Sequence, residues 1–80
     1  MKLDIITPEQ IFFSGDVTSV TLPGKSGLFT LWENHASFIS SLKTGVLTYT
    51  AEGKQCEVNI EGGFVEVNNN LVTVCLELVS

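Results

Sequence analysis

Apolar and polar residues alternate along this chain in short runs, each closed by residues that favour turns. "KLDII" leads into Thr7-Pro8, where a proline withdraws a ladder donor and suits the end or edge of a strand. "QIFF" follows and is stopped by Ser14-Gly15-Asp16. "VTSVTL" sets Thr18, Val20 and Leu22 on one face and Val17, Ser19 and Thr21 on the other. After Gly24–Gly27 comes "LFTLW", and Glu33-Asn34-His35 turns the chain. In "ASFISSL", Phe38, Ile39 and Leu42 are compatible with one helical turn, but the alternation and the serines favour a strand. "VLTYT" and "QCEVNI" pair through the turn "AEGK". Gly62-Gly63 permits a sharp bend before "FVEV", and Asn68-Asn69-Asn70 is a tight connection because asparagine tolerates positive φ. "LVTVCLELV" closes the chain with Val72, Val74, Leu76 and Leu78 on one face. About eight to ten short strands at this spacing, with no long amphipathic helix and no linker, predict an all-β fold: a small β-sandwich of mostly antiparallel strands.

Length and composition narrow what such a fold can do. At 80 residues the chain holds one domain, and a domain of this size buries roughly 60 % of the surface its unfolded chain exposes. Nearly every apolar side chain is needed for the core, which leaves little volume for a deep enzymatic cleft. The net charge of −5 comes from nine carboxylates against four lysines, with no arginine. That balance repels polyanions and lacks a bidentate phosphate fork, so nucleic acid is excluded as a partner class. Cys56 and Cys75 stand in strand-like surroundings and read as small core residues of a reducing compartment, a cross-strand disulfide being the alternative. They are too few, and too far from His35, for a zinc site. No apolar run approaches the roughly 20 residues needed to span a bilayer, and "MKLDIITPEQ" has no signal-peptide core. The chain reads as cytosolic, or as docked on a membrane complex without entering lipid.

Two features invite a chemical reading. Gly24-Lys25-Ser26 resembles the end of a phosphate-binding loop, but that motif needs a glycine where Ser19 stands and a helix after the lysine. A strand follows instead, so the loop is a glycine-rich turn with a solvated lysine. His35 has the pKa range of a general base, with Asp4, Asp16 and Glu33 as orienting partners by residue type alone. In a turn after Asn34 it reads rather as fixing the loop or meeting a partner. Glu52, Glu57, Glu61, Glu66 and Glu77 are spread over turns and polar faces and form no acid pair. Phe29 and Trp32 lie on opposite faces of one run, which leaves one of them open to exposure.

In order and at matching spacing, "LDIITPEQIFFSGDVTSVTLPG", Gly27, His35, "SLKTGVLTY" and "GGFVEVNNNLVTV" resemble the ε subunit of the bacterial F-type ATP synthase, specifically its N-terminal β-sandwich domain. The resemblance runs over essentially all of residues 1–80. It implies a non-catalytic subunit of the central stalk, on the cytoplasmic face of the bacterial inner membrane and peripheral to it. In that family the domain rotates with the γ subunit and the c-ring and couples proton-driven rotation to ATP synthesis. By the same resemblance Thr7, His35 and Ser40 face γ. The loop Pro23–Thr30, with Lys25, Ser26 and Leu28, faces the polar loops of the c-ring.

This sequence departs from the family pattern at two places in the loop region and at its end. Leu28 stands where many relatives carry an acidic residue, and Glu33-Asn34 where they carry Pro-Gly, which implies a more apolar ring contact. Typical members continue into two α-helices that bind ATP in some relatives and inhibit hydrolysis, whereas this sequence ends at "LELVS". The expectation is a domain with no helical hairpin, no ATP site, no cofactor and no metal. Two readings from other classes compete with it. One is a free-standing sandwich that binds a small molecule or sugar through Trp32, Phe29 or Tyr49. The other is a small hydrolase built on His35.

Overall fold

The computed structural model describes residues 1–34 and 36–77. Nine strands follow one another: β1 (Lys2–Ile6), β2 (Ile11–Asp16), β3 (Ser19–Gly24), β4 (Gly27–Leu31), β5 (Phe38–Leu42), β6 (Gly45–Ala51), β7 (Lys54–Ile60), β8 (Gly63–Asn68) and β9 (Leu71–Leu76). Their hydrogen bonding runs β2-β1-β9-β8-β5-β3-β6-β7, with β4 on β3. All pairs are antiparallel except β1 with β9.

The path is continuous, but β5 and β3 meet at a single pair, Gly24 with Leu42. The sheet therefore divides into two leaves, β2-β1-β9-β8-β5 and β4-β3-β6-β7. Ring contacts across the core show that the leaves face each other. Phe13 of the first leaf packs on Tyr49 of the second at 4.4 Å, and Phe38 of the first meets Phe29 of the second edge-on at 6.0 Å. The predicted sandwich is thus present, as one sheet folded over on itself.

The alternation read from the sequence explains the core. Leu3, Ile5, Val65, Val67, Val72 and Val74 point inward from the first leaf, and Val20, Leu22, Leu31, Leu47, Tyr49 and Ile60 from the second. Each strand gives every second residue to one shared cluster, as the period of two requires. Between β6 and β7 the chain turns on Glu52 and Gly53, both at positive φ (52° and 77°). That is the two-residue geometry whose twist matches the flanking strands.

Three local readings change. β2 does not stop at Ser14 but continues to Asp16, because β1 offers partners as far as Lys2 and the Ser14 hydroxyl donates to the Asp4 carboxylate at 2.6 Å. Val17 is buried beside Val20 and Leu22, since β3 begins only at Ser19 and the Val17 amide is drawn in by the Met1 carbonyl at 2.8 Å. The two thiols are free and only half-buried, on β7 and β9, which are not neighbours. Leu78, expected to continue the face of Val72 and Val74, lies outside the described residues.

Tyr49 gives this core a pH dependence. Burial, and then the Cys56 thiol paired opposite it, hold its phenol above the ordinary value of 10.0. The unfolded chain ionises its tyrosine near pH 10, while the folded domain keeps the proton to higher pH. The stabilisation is complete below about pH 10 and is lost as pH rises through the folded value. The thermal midpoint should fall above that pH, and in Tyr49→Phe the fall should be shallower. Equal slopes for the two proteins would remove Tyr49 from the account.

Candidate partner-docking site

Every second residue of the first leaf points away from the core, and register places these residues in rows across the outer face. One row reads Ile11, Ile6, Cys75, Phe64 and Ser41 across β2, β1, β9, β8 and β5. Phe12 joins it through a β-bulge: Phe13 pairs with Ile5 and Ile11 with Ile6, so two residues of β2 oppose one of β1. The result is apolar surface open to water, with Ile11 68 %, Phe12 53 % and Phe64 48 % exposed. Contiguous apolar surface left open to water is the kind of feature that marks interaction sites on folded domains.

The row borders a groove of about 530 Å³ lined by Ile6, Thr7, Pro8, Phe64, Cys75 and Leu76, with Ser41, Gly63 and Glu77 at its margins. Thr7 shapes one wall. Its hydroxyl accepts from the amides of Gln10 at 3.2 Å and Glu9 at 3.3 Å, and its own amide donates to the Gln10 carbonyl at 2.9 Å. The turn between β1 and β2 is thereby held at the groove's edge. Burial first, and then the Glu66 carboxylate, push the Cys75 thiol above its ordinary value. It is a poor nucleophile at neutral pH and serves as apolar lining.

The glycine-rich loop lies at the same end of the molecule, beyond β5. Gly24–Gly27 connects β3 to β4, and Lys25, Ser26 and Leu28 line a second, more polar cavity of about 260 Å³ with Phe29, Ser40 and Ser41. Leu28 is 72 % exposed at its rim. The Ser40 hydroxyl donates to the Ser41 carbonyl at 3.2 Å. Ser40 is therefore grouped with Lys25, Ser26 and Leu28 rather than with Thr7, and Ser41 borders both cavities. His35 lies outside the described residues. The loop before it is held by a bond from the Asn34 amide to the Asn70 side-chain oxygen at 2.9 Å, and by Glu33, 3.5 Å from the N-terminal ammonium.

The aromatic residues considered for a small ligand do not converge. Tyr49 is buried in the core, Phe29 is half-buried against Phe38, and Trp32 is exposed at the opposite end beside Glu33. Among the described residues no three of His, Cys, Asp and Glu are grouped to hold a metal ion. Sequence reasoning placed Leu28 at the ring contact and left one of Phe29 and Trp32 open to exposure; Leu28 and Trp32 are exposed, while Phe29 and Phe38 pack against the core. It missed Ile11, Phe12 and Phe64. A signal was available in Ile11-Phe12-Phe13, since three consecutive apolar residues cannot all face inward from a regular strand.

The comparisons with known proteins agree with one another. A model of the ATP synthase delta/epsilon chain β-sandwich domain matches residues 1–79. The ATP synthase epsilon chain of Chlorobium limicola is 45% identical over 80 residues, covering 99% of this chain and 91% of that protein. The epsilon chains of Nitratiruptor and of a Bradyrhizobium strain are 44% and 36% identical over 96% of this chain. The chain spans 60% and 57% of the length of those two relatives. Its fold is shared with a chain of the Euglena gracilis mitochondrial ATP synthase (TM-score 0.87, 23% identity, 92% of this chain and 48% of that one). It is shared also with a chain of the central stalk and c-ring assembly of the Tetrahymena thermophila enzyme (TM-score 0.82, 14% identity, 96% and 63%). A two-leaved sandwich with these turns, aligned from end to end with epsilon chains, places the protein plainly: it belongs to the ATP synthase delta/epsilon-chain β-sandwich family.

Proposed function

We propose that this domain is a non-catalytic part of the rotor of an ATP synthase. Its outer face docks on the γ subunit, its glycine-rich loop meets the polar loops of the c-ring, and it passes ring rotation to the catalytic head. The observation that supports this best is the row Ile11, Ile6, Cys75 and Phe64 with the bulged Phe12, which leaves three large apolar side chains, Ile11, Phe12 and Phe64, exposed together beside the groove. A rigid sandwich transmits torque through packed surfaces and needs no cofactor.

In this reading the γ contact spans the groove walled by Thr7 and reaches over the end of β5 toward Ser40, with His35 contributing from its loop. Lys25, Ser26 and Leu28 meet the ring beside it. The two contacts are contiguous because Ser41 borders both cavities. The protein sits at the cytoplasmic face of the bacterial inner membrane, held by its partners. Among the described residues no helix is long and apolar enough to cross a membrane.

The test is calorimetric titration of the chain against its cognate γ subunit. One-to-one binding is expected, over a contact on the order of 800 Å² per partner, with His35→Ala weaker by about tenfold, a hot-spot-sized loss. No binding between two folded proteins would overturn the stalk reading.

A further inference from the structure

Charge is divided unequally between the leaves. The outer face of the first leaf and the turn at its end carry Asp4, Glu9, Asp16, Glu66 and Glu77 against Lys2. That leaf therefore supplies most of the chain's net −5. Lys25, Lys43 and Lys54 belong to the second leaf or to loops beside it; the Lys43 amide, for instance, bonds to the Pro23 carbonyl at 2.9 Å. Lys2 stands at the far row, paired in register with Asp16. The N-terminal ammonium is taken up by Glu33.

Four of these carboxylates surround the apolar groove. Asp4 and Glu66 occupy the row next to Ile6, Cys75 and Phe64. Glu9 stands on the Thr7–Gln10 turn, and Glu77 lines the groove itself. Asp4 accepts one bond, from Ser14, and among the described residues none of the four is in an ion pair. A partner that covered this face with apolar groups alone would strip water from carboxylates and offer them nothing in return, a costly exchange. A second copy of the chain would bring the same carboxylates face to face.

We infer that the surface docking in this groove is an apolar ridge flanked by lysine or arginine side chains, and that the acidic rim selects and steers it. The inference rests on the stalk reading above and gives the chemistry of the partner at that same site. Apolar contact would set the lifetime of the complex, and the rim its rate of formation.

The experiment is stopped-flow association of the chain with its cognate γ subunit across a salt series. As the Debye length shortens from about 30 Å at 0.01 M to about 3 Å at 1 M, the association rate should fall on the order of tenfold or more. Glu66→Gln with Glu77→Gln should lower the low-salt rate severalfold and flatten the salt dependence. Glu52→Gln with Glu57→Gln, the same charge change on the second leaf, should leave the rate nearly unchanged. A rate insensitive to salt, or equal effects of the two double variants, would overturn the inference while leaving the stalk reading intact. No association at all would overturn both.

Discussion

Gly63→Ala is expected to leave little folded protein. The residue opens β8 at a φ of +139°, a region that side chains on L-residues rarely enter, and a Cβ built there would overlap the carbonyl oxygen of Cys75 on β9. Strain of this kind costs about 1–3 kcal/mol, and the overlap is with backbone, so it cannot be relieved by turning a side chain. β8 and β9 must separate at Gly63 and Leu76, the end of their ladder. A total loss above about 4 kcal/mol is expected, against roughly 4–12 kcal/mol for a domain of this size. Gly53→Ala is the control, since Gly53 also has positive φ (77°) but open space around it, and should cost about 1 kcal/mol. Urea unfolding of both variants decides the matter. A midpoint for Gly63→Ala close to that of Gly53→Ala would mean that the bend relaxes freely.

The bend at Gly62-Gly63 was legible in the sequence as a pair of glycines, and so was most of the fold. Alternation located the strands and set residues such as Val72 and Val74 on one shared face, because the period of two is imposed locally by the pleat. Pairing between distant strands was not legible. Nothing local tells β1 to lie parallel to β9, or β5 to leave β3 after one residue pair and so open the sheet into two leaves. The docking face depends on that pairing, since Ile6, Phe64 and Cys75 become one row only when β1, β9 and β8 are neighbours. The bulge at Phe12 adds to it through a register shift between two strands, which neither strand encodes alone. The chain's resemblance to its family named Thr7, Ser40 and the loop residues, but gave no hint that Ser40 shares a cavity with Lys25, Ser26 and Leu28.

Phe64→Asp should separate folding from docking. The ring lies on the outer face, beside Cys75 and at the wall of the groove, and is already half open to water. Replacing it removes no core contact of the size that destabilises a domain, so a change within about 1 kcal/mol is expected. In the complex the same ring would be an aromatic anchor near the centre of the contact, where truncations cost about 2–4 kcal/mol. An added carboxylate there must also be buried beside Glu66 and Glu77. Binding to γ should therefore weaken at least about 100-fold, while Phe64→Leu, which keeps apolar contact, should retain most of it. Leu28→Asp provides the contrast. Leu28 borders the other cavity, so the variant should bind isolated γ within about threefold of the parent, an effect of the size of a peripheral contact. Its defect should appear instead in the assembled synthase, as slower proton-driven ATP synthesis. If Leu28→Asp abolished γ binding and Phe64→Asp did not, the γ contact would move to the glycine-rich loop, and the apolar row would need another partner. If both variants bound normally, the groove would not lie in the γ contact.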